Sequence, residues 1–306
     1  MSLSNALKVT TTEKLTEWVL PGNNCAVVLK PFKGIDIQNL SQDRTVNRIN
    51  YYRRVYNTFF NKLLNKNKYG SMEQWVKTVK LIDEDHLYFA AYLSAFKDAN
   101  IIPFECSKCK KVFTQEVPIE DMIVYKNDEI KKKVKNILDS DHTFKEKNKE
   151  IDIYIEQISD DYAIGIKDPS IYNIYFENSI LDEEFAKKYA NILSLATYID
   201  SIYKIDYDNQ SFVPVPFKTY PEDMVKTVKA KIIQINKILQ LLTPDQYSYL
   251  VAMISNLNIK ENDITYKFPD IKCPHCGEMI PGGQTTAKEM LFTRHQLATI
   301  GNSVED

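Results

Sequence analysis

Two short cysteine pairs constrain this chain more than any other feature. They are Cys106-Ser-Lys-Cys109 and Cys273-Pro-His-Cys276, and 164 residues separate Cys109 from Cys273. Two residues between thiolates is the spacing of a metal knuckle. The turn points both sulfurs at one ion, and two such knuckles complete a tetrahedral four-cysteine site. If one ion takes all four, the fold must bring together segments far apart in sequence, and a metal then closes a long loop. The second knuckle carries Gly277 after its last cysteine, as many zinc ribbons do. The first carries Lys110 at that position.

Other readings of the pairs stay open at this level. A redox dithiol wants a helix start after a strand in a βαβ setting, which neither flank suggests. Disulfides are disfavoured where no signal peptide is visible, and MSLSNALKVTTTEKL has no apolar core. Plain reduced thiols are the bland alternative. A catalytic zinc needs an open position, whereas four cysteines close the sphere. His275, inside the second knuckle, could replace a ligand. The fifth cysteine, Cys25, reads as a small residue opening a strand. The expected cofactor is structural Zn2+ held by Cys106, Cys109, Cys273 and Cys276.

Composition excludes several classes. With 39 Lys+Arg against 41 Asp+Glu the net charge is −2, which argues against a strongly basic nucleic-acid or membrane-surface binder. Arg stands only at 44, 48, 53, 54 and 294, so bidentate base reading has few candidates. The 8 glycines form no phosphate loop, no dinucleotide fingerprint and no nucleophile elbow. No apolar run is long enough to span a bilayer. Adjacent acids such as Asp160-Asp161 and Glu183-Glu184 do not converge on one substrate, and the histidines lack evident Ser or Cys partners. The expectation is a protein that is not an enzyme.

The segment LIDEDHLYFAAYLSAF before the first knuckle resembles LTPDQYSYLVAMISNL before the second. Aligned, Tyr88 meets Tyr249, Ala91 meets Ala252 and Ser94 meets Ser255, with Phe89/Leu250 and Leu93/Ile254 similar in kind. Each copy reads as an acidic N-cap, an amphipathic helix, an aromatic connector and a knuckle. Thr243-Pro-Asp-Gln is a good helix start. The fold class expected is therefore α+β and helix-rich. It has two pseudo-repeated halves, each ending in a CxxC knuckle, with short β segments near 25–37, 104–117, 151–176 and 264–280. The halves are 1–125 and 151–306, joined by a charged helix or linker at 126–150. Helices are expected over 41–66 with Ser41 as cap, 72–81, 181–204, 220–242 and 285–300, the last carrying His295 on one face. Arg53-Arg54 among Tyr51, Tyr52 and Tyr56 could stack on nucleic acid, but the favoured reading is a helix face with snorkelling arginines.

Four stretches in this order carry a family likeness: LPGNNCAVVLKPFKGIDI, LIDEDHLYFAAYLSAF, IIPFECSKCKKVFTQEVPIEDM and YAIGIKDPSIYNIYF. The chain resembles the baseplate hub proteins of T-even-type contractile-tailed bacteriophages. In that family a short Asp-bearing helix precedes a zinc-knuckle stretch, and a strand phrase like Ile164-Gly-Ile-Lys-Asp-Pro-Ser follows. Lys110 in place of glycine departs from the pattern. The resemblance implies a structural or assembly component of the tail baseplate. Its partners would be other tail or baseplate proteins, with no small-molecule substrate and no membrane. It would be found in the virion tail, or in host cytoplasm during assembly. The 19 tyrosines against 2 tryptophans suit half-buried, half-wet interfaces. The competing class is a zinc-ribbon nucleic-acid-binding subunit of a viral transcription or replication complex, which the net charge and scarce arginine disfavour.

Overall fold

The computed structural model describes residues 15–41, 47–96, 101–139, 153–259 and 263–302. Strands β1 (Thr16–Leu20) and β2 (Cys25–Leu29) form an antiparallel hairpin in which Trp18 faces Val27. Its residues are apolar on both sides because both faces are covered; Trp18, Val19, Leu20 and Leu29 are all buried. Four helices follow: α1 (Gly34–Ser41), α2 (Arg48–Lys62), α3 (Met72–Thr78) and α4 (Glu84–Ala95). The chain then forms β3 (Ile101–Glu105), β4 (Val112–Glu116), β5 (Ile123–Tyr125) and α5 (Asp128–Asp139).

A second run begins with β6 (Tyr154–Gln157) and β7 (Tyr162–Ile166), continues through α6 (Glu183–Lys188) and α7 (Ala190–Tyr198), and adds β8 (Ile199–Asp206) and β9 (Ser211–Val215). Helices α8 (Met224–Leu239) and α9 (Pro244–Ile259) come next. The last elements are β10 (Ile264–Phe268), β11 (Ile271–Lys272), β12 (Met279–Ile280), β13 (Gly283–Thr285) and α10 (Ala287–Asn302). The fold is mixed α+β, with short strands near all four expected places.

Two hydrophobic cores organise these elements. The first gathers β1, β2, α1 to α5, and also Ile264 and Tyr266 of β10 and Ala287, Met290 and Leu291 of α10. The second lies under the antiparallel sheet β6-β7-β8-β9, where Ile164, Ile166 and Ile202 meet Ile192 of α7, Ile232 and Ile235 of α8, and Leu250 and Ile254 of α9. The cores therefore do not follow contiguous halves of the chain: residues 264–291 pack with the N-terminal elements. The antiparallel sheet β13-β10-β5 makes that return, pairing Tyr266 with Ile123. Ile171, Tyr172 and Phe176, on a short helical turn after β7, also enter the first core. The charged stretch expected at 126–150 is the helix α5 as far as 139, seated through Val134, Ile137 and Leu138; 140–150 lie outside the described residues.

Three local expectations are corrected. The strand expected to continue to 37 gives way to α1 at Gly34. Asp36 in its first turn accepts from the Lys33 N–H at 2.7 Å, half of a capping box. Ser41 ends α1 instead of starting α2, whose cap is Asn47, accepting from Asn50 N–H at 3.2 Å. The helix expected over 181–204 stops at Tyr198, and Ile199–Asp206 is a strand. Isoleucines at 199, 202 and 205 imitate a helical stripe, but their β-branched side chains fit the pleated sheet better.

Candidate metal centre

The two knuckles share one backbone design. In the first, β3 and β4 pair Phe104 with Phe113 and Glu105 with Val112. The turn closes with Cys106 N–H donating to Lys111 O at 3.0 Å and Lys110 N–H donating to Cys106 O at 2.8 Å. In the second, β11 and β12 pair Lys272 with Met279. Cys273 N–H donates to Glu278 O at 2.8 Å and Gly277 N–H to Cys273 O at 2.9 Å, the same wiring residue for residue. Both turns need a left-handed residue after the second cysteine: Lys110 has φ 58° and Gly277 φ 74°. Glycine is free there, whereas a residue with a Cβ loses about 1 kcal/mol or more.

All four sulfurs converge. Their Sγ atoms lie within 4.8 Å of one another. Two contacts run between the knuckles, Cys106 to Cys276 at 3.6 Å and Cys109 to Cys273 at 3.8 Å. A tetrahedral zinc with Zn–S near 2.3 Å requires sulfur–sulfur edges of about 3.8 Å. The donor set fits such an ion in size, softness and number. Cys106 and Cys273 are buried against Phe113, with Phe104, Ile271 and Ile280 around them; Cys109 is half-buried and Cys276 exposed. Backbone N–H groups of Cys109 and Lys108 point at the Cys106 sulfur and hold its thiol down at about 7. The Glu278 N–H pulls Cys276 down, but desolvation and the neighbouring sulfurs outweigh it and push the thiol up to about 12. Lys108 and Glu278 add an ion pair between the knuckles at 2.8 Å.

The other candidates fall elsewhere. His275 is exposed, its ring edge-on to Phe113 at 6.2 Å, and is not among the converging ligands. Cys25 opens β2 in the first core, where burial pushes its thiol up and Asp83 adds to the effect. Arg54 lies over the Tyr51 ring at 5.7 Å and donates to Asn39 O, while Arg53 reaches Glu73 at 4.0 Å. Tyr51 and Tyr56 are buried, so this patch is the packed helix face. Among the described residues, the one cluster of side chains that could hold a metal ion does not include Asp160, Asp161, Glu183 or Glu184.

One constellation escaped the sequence reading. The residues Asp83-Glu84-Asp85-His86, taken as an acidic helix cap, make four separate long-range ties. Asp83 accepts from Gly22 and Asn23 N–H at 2.8 and 2.7 Å. Glu84 accepts from the Tyr56 and Tyr175 hydroxyls at 2.7 and 2.6 Å. Asp85 accepts from Ala287 N–H at 2.9 Å, capping α10 from a remote helix. Trp18 donates to the Tyr266 hydroxyl at 3.3 Å, and that hydroxyl also shares a hydrogen bond with His86 Nδ1 at 2.6 Å. Burial raises Asp83 to about 7 against its N–H bonds, and lowers His86 to about 3. The available signal was a charged run heading a helix that has no polar face.

No family model, curated protein or solved structure matches the chain. Among the described residues, no helix is long and apolar enough to cross a membrane.

Proposed function

We propose that this chain is a non-enzymatic structural or assembly component that works through protein–protein contacts and is clamped by one structural zinc. In its narrowest form the reading is a hub-region component of a contractile phage tail baseplate, with other tail proteins as partners. The observation that carries the structural role is the closed shell of four cysteine sulfurs. Structural zinc sites use four protein ligands, whereas catalytic ones keep a position open for water or substrate. Buried groups with displaced proton affinities support it too: Asp83 and His86 tie distant segments together. The baseplate assignment is supported by the four quoted stretches and their order. Tyr154, Tyr207 and Tyr249 are exposed in the second lobe, where they suit contact with other proteins.

Two measurements test the proposal. Elemental analysis is expected to give one zinc per chain; two, or none, refutes the shared clamp. Mass spectrometry of proteins bound to the native chain at moderate salt is expected to find tail-tube, hub or wedge proteins. Recovery of polymerase subunits, or DNA binding with a steep salt dependence, replaces the tail reading with the nucleic-acid one.

A further inference from the structure

The sulfurs are not four equivalent ligands. The two contacts that cross between the knuckles, at 3.6 and 3.8 Å, each join a sulfur that solvent reaches with one that it does not: exposed Cys276 with buried Cys106, and half-buried Cys109 with buried Cys273. We infer that the centre is a peroxide-oxidisable clamp, in which loss of the metal is coupled to disulfides Cys106–Cys276 and Cys109–Cys273 between the hairpins. This rests on the reading of the four cysteines as a metal site.

The chemistry follows from access. A thiolate is the nucleophile towards a peroxide, and the reachable one reacts first. Cys276 sulfur attacks the O–O bond, forms S–OH and releases hydroxide. The Cys106 thiolate then displaces hydroxide from that sulfur, and the S–S bond forms. Two electrons leave the sulfur pair, and one peroxide becomes two hydroxides, which take up two protons as water. A second peroxide oxidises Cys109 and Cys273 in the same way. With no thiolate left, the metal departs as a dication. The sulfurs close from 3.6 Å to about 2.05 Å, a movement two short hairpins can share. Disulfides within each CxxC would free the hairpins from one another. These instead keep the closure across 170 and 164 residues after the metal is gone.

The test uses the full zinc-loaded chain, with metal content measured first. Hydrogen peroxide is added, zinc release is followed with a chromogenic chelator, and remaining thiols are alkylated before non-reducing peptide mapping. Expected are Cys106–Cys276 and Cys109–Cys273 linked peptides and two peroxides consumed per zinc released. The oxidised chain should also run faster on a denaturing non-reducing gel, because the long loop stays closed. Linkages Cys106–Cys109 and Cys273–Cys276 with unchanged mobility overturn the inference, as do sulfinic acids without disulfide. A chain that purifies without metal yet forms the cross-hairpin disulfides defeats the metal reading and leaves the pairing standing.

Discussion

The helix before the first knuckle is buried from His86 to Ser94, while the helix before the second leaves Tyr249 53% exposed. Tyr88, its counterpart, is 1% exposed. Ser94 accepts from Phe32 N–H and donates to Lys30 O, but the aligned Ser255 is exposed. The hairpins that follow are nevertheless wired alike. The difference separates two kinds of sequence information. A knuckle is specified by a few residues whose local hydrogen bonds and ligands define its shape. A helix is specified only as far as its apolar pattern, and its surroundings decide how much of it is covered.

The largest expected effect tests the likeness. Cys106→Ser and Cys273→Ser each remove a ligand from the same ion. Both should abolish stoichiometric zinc and lower stability equally, by several kcal/mol on the scale of structural zinc sites. Clearly unequal melting losses, or one variant that keeps its zinc, would break the shared site into two. Excess chelator should make wild type and both variants melt alike.

The next tests the difference. Asp83→Ala leaves the Gly22 and Asn23 N–H groups without their acceptor inside the first core and should cost about 2–4 kcal/mol. Asp245→Ala, at the exposed start of α9, should stay within about 0.5 kcal/mol. Equal losses in urea denaturation would show that the two helices are seated alike after all.

A third prediction uses pH. Asp83, raised in the fold from its ordinary 3.8 to about 7, contributes stability that is complete below about 4 and lost as pH rises towards 7. His86, lowered from 6.5 to about 3, contributes stability present above 6.5 and lost as pH falls towards 3. Between about pH 4 and 6.5 these slopes oppose one another, each up to about 1.4 kcal/mol per pH unit. Asp83→Asn should therefore make stability rise more steeply with pH than in wild type, and His86→Gln should make it fall. Parallel curves for all three proteins would mean that neither group titrates as its burial requires.

The smallest effect returns to the hairpins. Lys110→Gly should relieve the left-handed turn of the first knuckle and stabilise it by about 0.5–1 kcal/mol, net of the added freedom of the unfolded chain. Gly277→Lys should destabilise the second by a similar amount. Same-sign changes in the metal-loaded proteins would deny that the two turns are equivalent.

Much of this was legible in one dimension. The four metal-ligand candidates, the α+β class and the helices α3, α8, α9 and α10 follow from cysteine spacing, capping residues and apolar periodicity, because those signals act within a few residues. Isoleucines three apart at 199, 202 and 205 misled because the same spacing serves a helix stripe and a bulged strand beside Gly165 and Ile166. The Asp83–His86 run could not be read at all. Its partners lie at 22–23, 56, 175, 266 and 287, and nothing local distinguishes a helix cap from a set of remote ties.

By itself, then, the sequence determined the two knuckles and their candidate ligands, since a CxxC turn carries its own geometry. The tertiary structure alone decided that residues 264–291 would complete the N-terminal core, that one helix of the repeat would be central and the other peripheral, and that each accessible sulfur would face a buried one across the site. Those outcomes depend on which distant surfaces exclude water together, and burial is a property of the assembled packing rather than of any one segment.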